Sequence, residues 1–230
     1  MTGRNLRRVY AQADEDDIRE GRLAYRRYNE VMRSFAEAYD APLDRTLAAF
    51  CALSPNNDYF GNLRSLASVL AAVRDGVPCD RVTVSTYNHC RDRAYSYVTG
   101  ETCFLSKSKG LKIRSFYFNI LDPEDRRHVT IDGHMKAAYE GRDMTMKEAV
   151  VKTKGEYMRI AAATKRLARA EGLIPNQLQA TIWFARKRTR RIKYNPQLNL
   201  FGDPSDKWGT VIDVDDALPY DILTPTQKRN

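Results

Sequence analysis

The sequence predicts an all-α protein, and three observations lead there. Apolar side chains recur every three to four residues through most of residues 14–190. Glycine, proline and Asx-rich turns fall between these runs, where helices stop. No alternating strand pattern of useful length appears, and no internal repeat at a fixed period. The pattern gives about eight helices over residues 1–193, the first 42 or so being a helical extension, and an irregular tail over 194–230.

The first long helix spans 14–39. Acidic residues Asp14 to Asp17 stand at its start, where the helix dipole favours negative charge. Ile18, Tyr25, Tyr28, Val31, Met32, Phe35 and Tyr39 form its apolar stripe, and Pro42 ends the segment. A second helix, Leu43 to Leu53, turns Leu47, Phe50 and Cys51 inward and stops at Ser54-Pro55-Asn56-Asn57-Asp58. The third runs from about 58 to 74 on Phe60, Leu63, Leu66, Val69, Leu70 and Val73; Asp75-Gly76 and Pro78 close it. Residues 77–85 are a connector with the most strand-like composition of the first half. Ser85 or Thr86 is the expected cap of a helix over 87–98, which Gly100 terminates. Ile113 to Leu121 is an apolar-rich helix, and Asp132 precedes another. Thr145 is the expected cap of a long helix over 146–171, with Val150, Tyr157, Ile160, Ala161 and Leu167 inward and Gly172 at its end. Pro175 starts the last helix, with Leu178, Ile182, Trp183 and Ala185 inward. Beyond Tyr194, Pro196, Gly202, Pro204, Pro219 and Pro225 interrupt any pattern, and Asp213, Asp215 and Asp216 form an acidic patch.

A chain of 230 residues, 43% apolar and 29% charged, is long enough for one sizeable core. No run reaches the roughly 20 apolar residues that span a bilayer. The N-terminal segment lacks the apolar stretch of a secretion signal. A cytoplasmic protein is therefore expected, with no membrane partner. Cys51, Cys79, Cys90 and Cys103 are far apart, and the histidines are His89, His128 and His134. Zinc-ligand spacing is missing, so free thiols are expected and no metal or cofactor. The net charge of +9 and the pI near 9.4 favour a polyanionic partner. The charge is clustered: Arg186, Lys187, Arg188, Arg190, Arg191 and Lys193 fall in one run, and Lys107, Lys109, Lys112 and Arg114 in another.

The second cluster leads into a helix. A tight turn at a helix start presents free backbone N–H groups, and with nearby lysines it can hold a phosphate oxygen without reading sequence. Asp132 has two readings. It caps a helix by accepting from a backbone amide, or its carboxylate also faces a cleft, where burial tunes its basicity. His134 likewise serves either a core hydrogen bond or acid–base work. Asn56 and Asn57 form an Asx turn or recognise a pyrimidine edge or a carboxylate. Gln177 and Gln179 lie two apart and face differently, and Gln179 flanks the inward stripe.

Leu105-Ser106-Lys107-Ser108-Lys109-Gly110-Leu111-Lys112, followed about twenty residues later by Val129-Thr130-Ile131-Asp132-Gly133-His134, resembles the helix-hairpin-helix superfamily of DNA glycosylases. There a glycine-rich hairpin grips the phosphate backbone, and an aspartate at a helix start serves catalysis. The resemblance implies a helix-hairpin-helix glycosylase-like fold. It puts Lys107, Lys109, Gly110 and Arg114 on DNA, and the clustered charge adds Arg186, Lys187, Arg188, Arg190 and Arg191. It makes Asp132, His134 and Lys112 the catalytic residues, Lys112 lying near the position of a nucleophilic lysine in some members. Lysines replace both hairpin glycines here, and only Gly110 remains.

Leu53-Ser54-Pro55-Asn56-Asn57 with Asn62, the segment Leu105 to Ile120, the Asp132 motif and Pro175 to Trp183 resemble phage proteins related to that superfamily. Some of these are grouped with the α-glutamyl/putrescinyl-thymine pyrophosphorylases, or amino acid:DNA transferases, of thymine hypermodification. In that family an amine displaces pyrophosphate from pyrophosphorylated 5-hydroxymethyluracil in DNA. The implied function is that transfer, in the cytoplasm of a phage-infected host. The alternatives are a DNA N-glycosylase and a non-catalytic DNA-binding or clamp-associated protein. Either enzyme needs an extruded base. Asn56, Asn57, Asn62, Tyr117, Asn119, Gln179 and Trp183 are the expected substrate contacts, with Tyr59 and Tyr87 as further aromatics. An amino acid or other amine is the expected co-substrate.

Gln197-Leu198-Asn199-Leu200-Phe201 resembles the pentapeptide by which bacterial replication and repair proteins bind the sliding clamp. Gln197 would anchor by hydrogen bonds while Leu198, Leu200 and Phe201 fill an apolar pocket.

Overall fold

Helix-forming runs separated by caps and stops give eleven α-helices in the computed structural model, which describes residues 3–55, 57–107 and 110–190. They are α1 (Arg4–Tyr10), α2 (Glu15–Ala38), α3 (Leu43–Leu53), α4 (Tyr59–Arg74), α5 (Asn88–Thr99), α6 (Phe104–Lys107), α7 (Leu111–Leu121), α8 (Gly133–Glu140), α9 (Met146–Ala149), α10 (Lys154–Ala170) and α11 (Pro175–Arg190). Among the described residues no strand forms, and the strand-like connector holds only a single 3₁₀ turn, Cys79–Arg81. The all-α expectation holds. No helix among them is long and apolar enough to cross a membrane.

Several local expectations change. The sequence reading gave no separate helix at the N-terminus, yet α1 forms there and buries Leu6 completely. The helix expected over 146–171 is two helices. Thr145 and Glu148 close a reciprocal capping box on α9, and Thr153 caps α10 by accepting from the Glu156 amide. Two start signals eight residues apart cannot share one helix, and β-branched Val150 and Val151 lie in the break. Val150, expected inward, is therefore exposed, as is Phe60 on α4. Ser85 and Thr86 do not cap α5: the Ser85 hydroxyl bonds Ser65, Asn57 and Gly61, while Thr86 donates to the Pro55 carbonyl. Gly100 ends α5 at φ 81°, a left-handed position that favours glycine.

Within the expected helical domain the chain forms two compact units. Among the described residues one comprises 3–26 with 110–190, and the other 27–107. In the first, α1, α8, α10 and α11 pack on one another around Leu6, Met135, Ala138, Ile160, Ala168, Leu178 and Ile182. In the second, α3, α4 and α5 pack together, and the Tyr28 ring lies 5.9 Å from Phe50 and 5.4 Å from Tyr59.

Candidate active site

The two motifs meet in the first unit. Gly110 occupies the N-cap of α7 with an ordinary negative φ, and Lys112 sits in the first helical turn. Ten residues separate α7 from Asp132, and side chains pin them. Asn119, completely buried, donates to the His128 carbonyl at 3.1 Å and accepts from the Thr130 hydroxyl at 3.0 Å. Asp125 accepts from the Arg127 amide and guanidinium, each at 2.9 Å, and bonds the His128 ring. Tyr157, reaching in from α10, ties both motifs together. Its hydroxyl lies 2.8 Å from the Val129 carbonyl, 2.9 Å from Ser115 Oγ and 3.3 Å from the Leu111 carbonyl, and it accepts from the Ile131 amide at 3.3 Å. Leu111 precedes Lys112 and Ile131 precedes Asp132, so one hydroxyl fixes the backbone beside both.

Asp132 caps α8, as its sequence position predicts. Oδ1 accepts from the Met135 amide at 2.8 Å. The residue is only 2% exposed, and among the described residues Oδ2 has no hydrogen-bond partner. Burial raises its pKa. Lys112 and the amides of Met135, Asp132 and His134 pull the other way without prevailing. Lys112 is the mirror case. Its side chain keeps some exposed surface, yet desolvation of the ammonium pushes its pKa down while the Asp132 charge pushes it up. No direct ion pair joins the two among the described residues. They are a carboxylate and an amine in electrostatic contact, their pKa values drawn toward each other.

His134 is buried and packs edge-on against Trp183, with ring centroids 5.8 Å apart. Trp183 is completely buried against His134 and Phe184, with the Lys187 ammonium 4.2 Å from its ring centroid. It is a core aromatic and offers no open face to a base. Tyr117 is buried edge-on to Phe118. Asn119 spends both ends of its amide within the protein, which removes it from the substrate contacts. Gln179 is completely buried; its Oε1 accepts from Tyr25 at 2.8 Å, and Nε2 has no partner among the described residues.

In the second unit Asn57 donates to the Leu53 carbonyl and accepts from Ser85, so it builds the turn after α3. Asn62 donates to the Phe50 carbonyl at 3.2 Å, with Oδ1 unbonded among the described residues. Tyr59 is core, whereas Tyr87 is exposed and stacked on His89.

The basic run on α11 is largely consumed internally. Arg186 is buried and pairs with Asp143 at 3.0 Å, and Lys187 lies over Trp183. Arg188 pairs with Asp17 at 2.7 Å and Asp14 at 2.9 Å, and Arg190 with Asp143 at 3.2 Å. Consecutive residues on a helix point about 100° apart, so a run in sequence is not a face. Arg186 and Lys187 are thus not phosphate contacts in this arrangement, and Arg188 is already neutralised. Of the hairpin cluster, Gly110 is exposed and Arg114 is partly buried. Asn56, Ser108, Lys109, the Lys107 side chain, Arg191 and the clamp-like segment Gln197 to Phe201 lie outside the described residues.

Sequence reading missed Tyr157 as anything beyond an inward stripe residue. It also gave Arg186 an outward role. Neither has a local sequence signal, because both are defined by what they touch across helices.

The fold is that of an all-α protein, with Lys112 in the first turn of one helix and Asp132 at the N-cap of another. The chain belongs to the family described as a family of unknown function (DUF7178), whose model matches residues 1–191. No curated protein and no solved structure matches it.

Proposed function

We propose that this protein modifies a base extruded from DNA, as an amino acid:DNA transferase. The Lys112–Asp132 pair carries the reading. A displacement of pyrophosphate by an amine needs a base at one end and an acid at the other. The incoming nitrogen forms a bond to the exocyclic methylene carbon of the modified pyrimidine, and the carbon–oxygen bond to pyrophosphate breaks. Asp132, its basicity raised by burial, takes a proton from the incoming ammonium through Oδ2, which has no hydrogen-bond partner among the described residues. Lys112, its pKa lowered, gives a proton to the departing phosphate oxygen and stabilises its charge. Two groups with pKa values shifted toward neutrality suit such paired transfers. The net charge of +9 suits a DNA substrate.

One observation favours a second reading. A desolvated lysine is also a nucleophile, so Lys112 attack at the sugar C1′ would release the base as a DNA N-glycosylase and leave an imine. Incubation of the protein with a duplex carrying pyrophosphorylated hydroxymethyluracil, plus amino acids, separates the readings by nucleoside mass spectrometry. An amine adduct is expected. Abasic sites together with borohydride-trapped protein–DNA adducts would replace the transferase by the glycosylase, and binding without product would leave a non-catalytic DNA-binding protein. Asp132→Asn keeps the helix cap and is expected to lose turnover while retaining DNA affinity. Full activity in that variant returns Asp132 to capping alone.

A further inference from the structure

A net charge of +9 has to be displayed somewhere, and α11, where the basic run stands, displays little of it. Arg186, Arg188 and Arg190 are paired with acids, and Lys187 lies over Trp183. The first unit carries its unspent charge on α10. One side of that helix, with Tyr157, Ile160, Ala161, Leu167 and Ala168, is buried. Arg159 and Arg166 follow Tyr157 by two and nine residues. At about 100° per residue, that sets them on the opposite side of α10 from the hydroxyl that pins the candidate site. Arg159, Arg166 and Arg169 are exposed, and among the described residues none of them is in an ion pair or a side-chain hydrogen bond. The acids of this segment are spent. Glu156 pairs with Lys136 at 2.8 Å, and Glu171, just past the end of the helix, faces Arg7 at 3.8 Å.

The loop before Asp132 flanks the same side. Lys165 donates from its ammonium to the Arg127 carbonyl, which docks the loop on α10. Arg126, next in the chain, is exposed and likewise unpaired among the described residues. Asp125 is buried and consumed by Arg127 and His128, and Glu124 pairs with Arg26 at 2.6 Å. Asp122 is the remaining exposed acid of the loop, and its charge acts on Arg127. The unspent cations are therefore Arg126, Arg159, Arg166 and Arg169.

We infer that the outer side of α10, flanked by Arg126, is a binding surface for the phosphate backbone of duplex nucleic acid, separate from the hairpin cluster and from the reacting pair. A rise of 1.5 Å per residue puts Arg159 and Arg169 about 15 Å apart along the helix, a span over which duplex DNA carries roughly nine charges. Ala162 stands between Arg159 and Arg166 and leaves a phosphate room to approach. The exposed residues of α10 include no aromatic ring, on which unpaired bases of a single strand would stack. An anionic membrane fits less well, because an interfacial helix buries its apolar face among lipids and that of α10 is already in the core. The surface uses neither Lys112 nor Asp132, so it stands or falls independently of the transferase reading.

The test is fluorescence anisotropy of a short labelled DNA duplex with the full chain, over a series of salt concentrations. Each phosphate contact contributes roughly −0.9 to the slope of log affinity against log salt. Arg159→Gln with Arg166→Gln and Arg169→Gln is expected to flatten that slope by about 2.7 and to weaken binding by about tenfold or more near 0.1 M salt. The charge-matched comparison, Arg64→Gln with Arg81→Gln and Arg93→Gln, removes three exposed arginines from the second unit. It is expected to change the slope by less than about 0.5. Should the α10 triple variant fail to fold, Arg166→Gln alone gives the same reading, a slope flatter by about 0.9. Equal losses in the two triple variants would mean that overall charge holds the duplex, and would overturn the inference. So would the absence of duplex binding by the unmodified protein, or binding to phosphatidylserine vesicles that the α10 variant loses while its duplex binding persists. Selective loss in the α10 variant, with no transfer to DNA by the unmodified protein, upholds the surface and sinks the transferase. Transfer by the unmodified protein, with duplex affinity unchanged in the α10 variant, does the reverse.

Discussion

Tyr157→Phe deletes one oxygen atom from the centre of the site. The ring stays in its apolar surroundings, so no cavity opens beyond the hydroxyl. Four groups lose a neighbour: the Ile131 amide, the Val129 and Leu111 carbonyls, and Ser115 Oγ. Ser115 can turn to meet one carbonyl, and the long 3.3 Å contact to Leu111 is weak. The Ile131 amide and one strong acceptor are left buried and unmet. At about 1–3 kcal/mol for each of these two groups, the loss is about 2–6 kcal/mol. Burial pushes the Tyr157 pKa up to about 12, so the phenol is neutral and the loss is the same from pH 6 to 9. Guanidinium unfolding, followed by tryptophan fluorescence from buried Trp183, reads it. Under the proposed transferase reading turnover falls as well, through kcat rather than KM, because the backbone beside Lys112 and Asp132 is what loosens. A stability change under 0.5 kcal/mol with unchanged kcat would refute the role given to this hydroxyl.

Three further outcomes follow from particular contacts. Burial alone would raise the Asp125 pKa, but hydrogen bonds from His128 and Arg127 hold it down to about 2. A carboxylate lowered on folding stabilises above its unfolded pKa near 3.8 and loses that contribution as pH falls toward 2, so Asp125→Asn should cost about 2 kcal/mol at pH 7 and flatten the acid limb of the stability curve. Gly21 lies inside α2, where an added Cβ would meet the Thr181 backbone nitrogen at 2.6 Å and its Cα at 2.8 Å. Gly21→Ala should therefore lower stability by about 1–3 kcal/mol despite the better helix propensity of alanine, measured as a drop in Tm. Lys112→Met removes the cation that opposes burial at Asp132, so the Asp132 carboxyl should titrate at higher pH than in the unmodified protein, read by carbon NMR of the carboxyl group; a downward move would mean that the two do not interact as described.

Much of the site was readable because it obeys local rules. An aspartate followed by a helical run caps that helix, and Asp132 does. A glycine after an apolar helix ends it, and Gly100 does. The two motifs lie beside one another, the Tyr157 hydroxyl bonding the backbone of both Leu111 and Ile131. What was not readable depends on contacts far apart in sequence. The basic run at 186–190 looked like one surface, yet its members radiate around α11 and find Asp143, Trp183, Asp17 and Asp14. The break between α9 and α10 follows from two caps competing for one segment, a conflict that periodicity alone does not register. Asn119 looked like a recognition amide because its chemistry is the same whether it holds a loop or a ligand. Only its partners, the His128 carbonyl and the Thr130 hydroxyl, decide.

The Lys112–Asp132 pair also permits a test of whether these charges serve stability or chemistry. Burial raises the Asp132 pKa, so just above its ordinary value of 3.8 the native state holds the proton more tightly than the unfolded chain, and stability falls as pH rises through that window. Burial lowers the Lys112 pKa, so below its ordinary value of 10.5 the unfolded chain holds the proton more tightly, and stability rises with pH there. Burial thus works against the charged form of each group, and each charge eases that penalty on the other. Removing one takes away the charge that eases the burial of the other. Removing both together, as Lys112→Met with Asp132→Asn, deletes two desolvated charges while the asparagine still caps α8. Replacing a buried pair by uncharged groups of similar volume stabilises proteins by about 1–4 kcal/mol in favourable cases. The double variant should thus unfold at higher denaturant than the unmodified protein, and higher than either single variant, while showing no turnover. Its pH–stability curve should lose both slopes. A double variant less stable than the unmodified protein would mean that the pair is there to hold α7 against α8, and its claim to be a reacting centre would rest on turnover measurements alone.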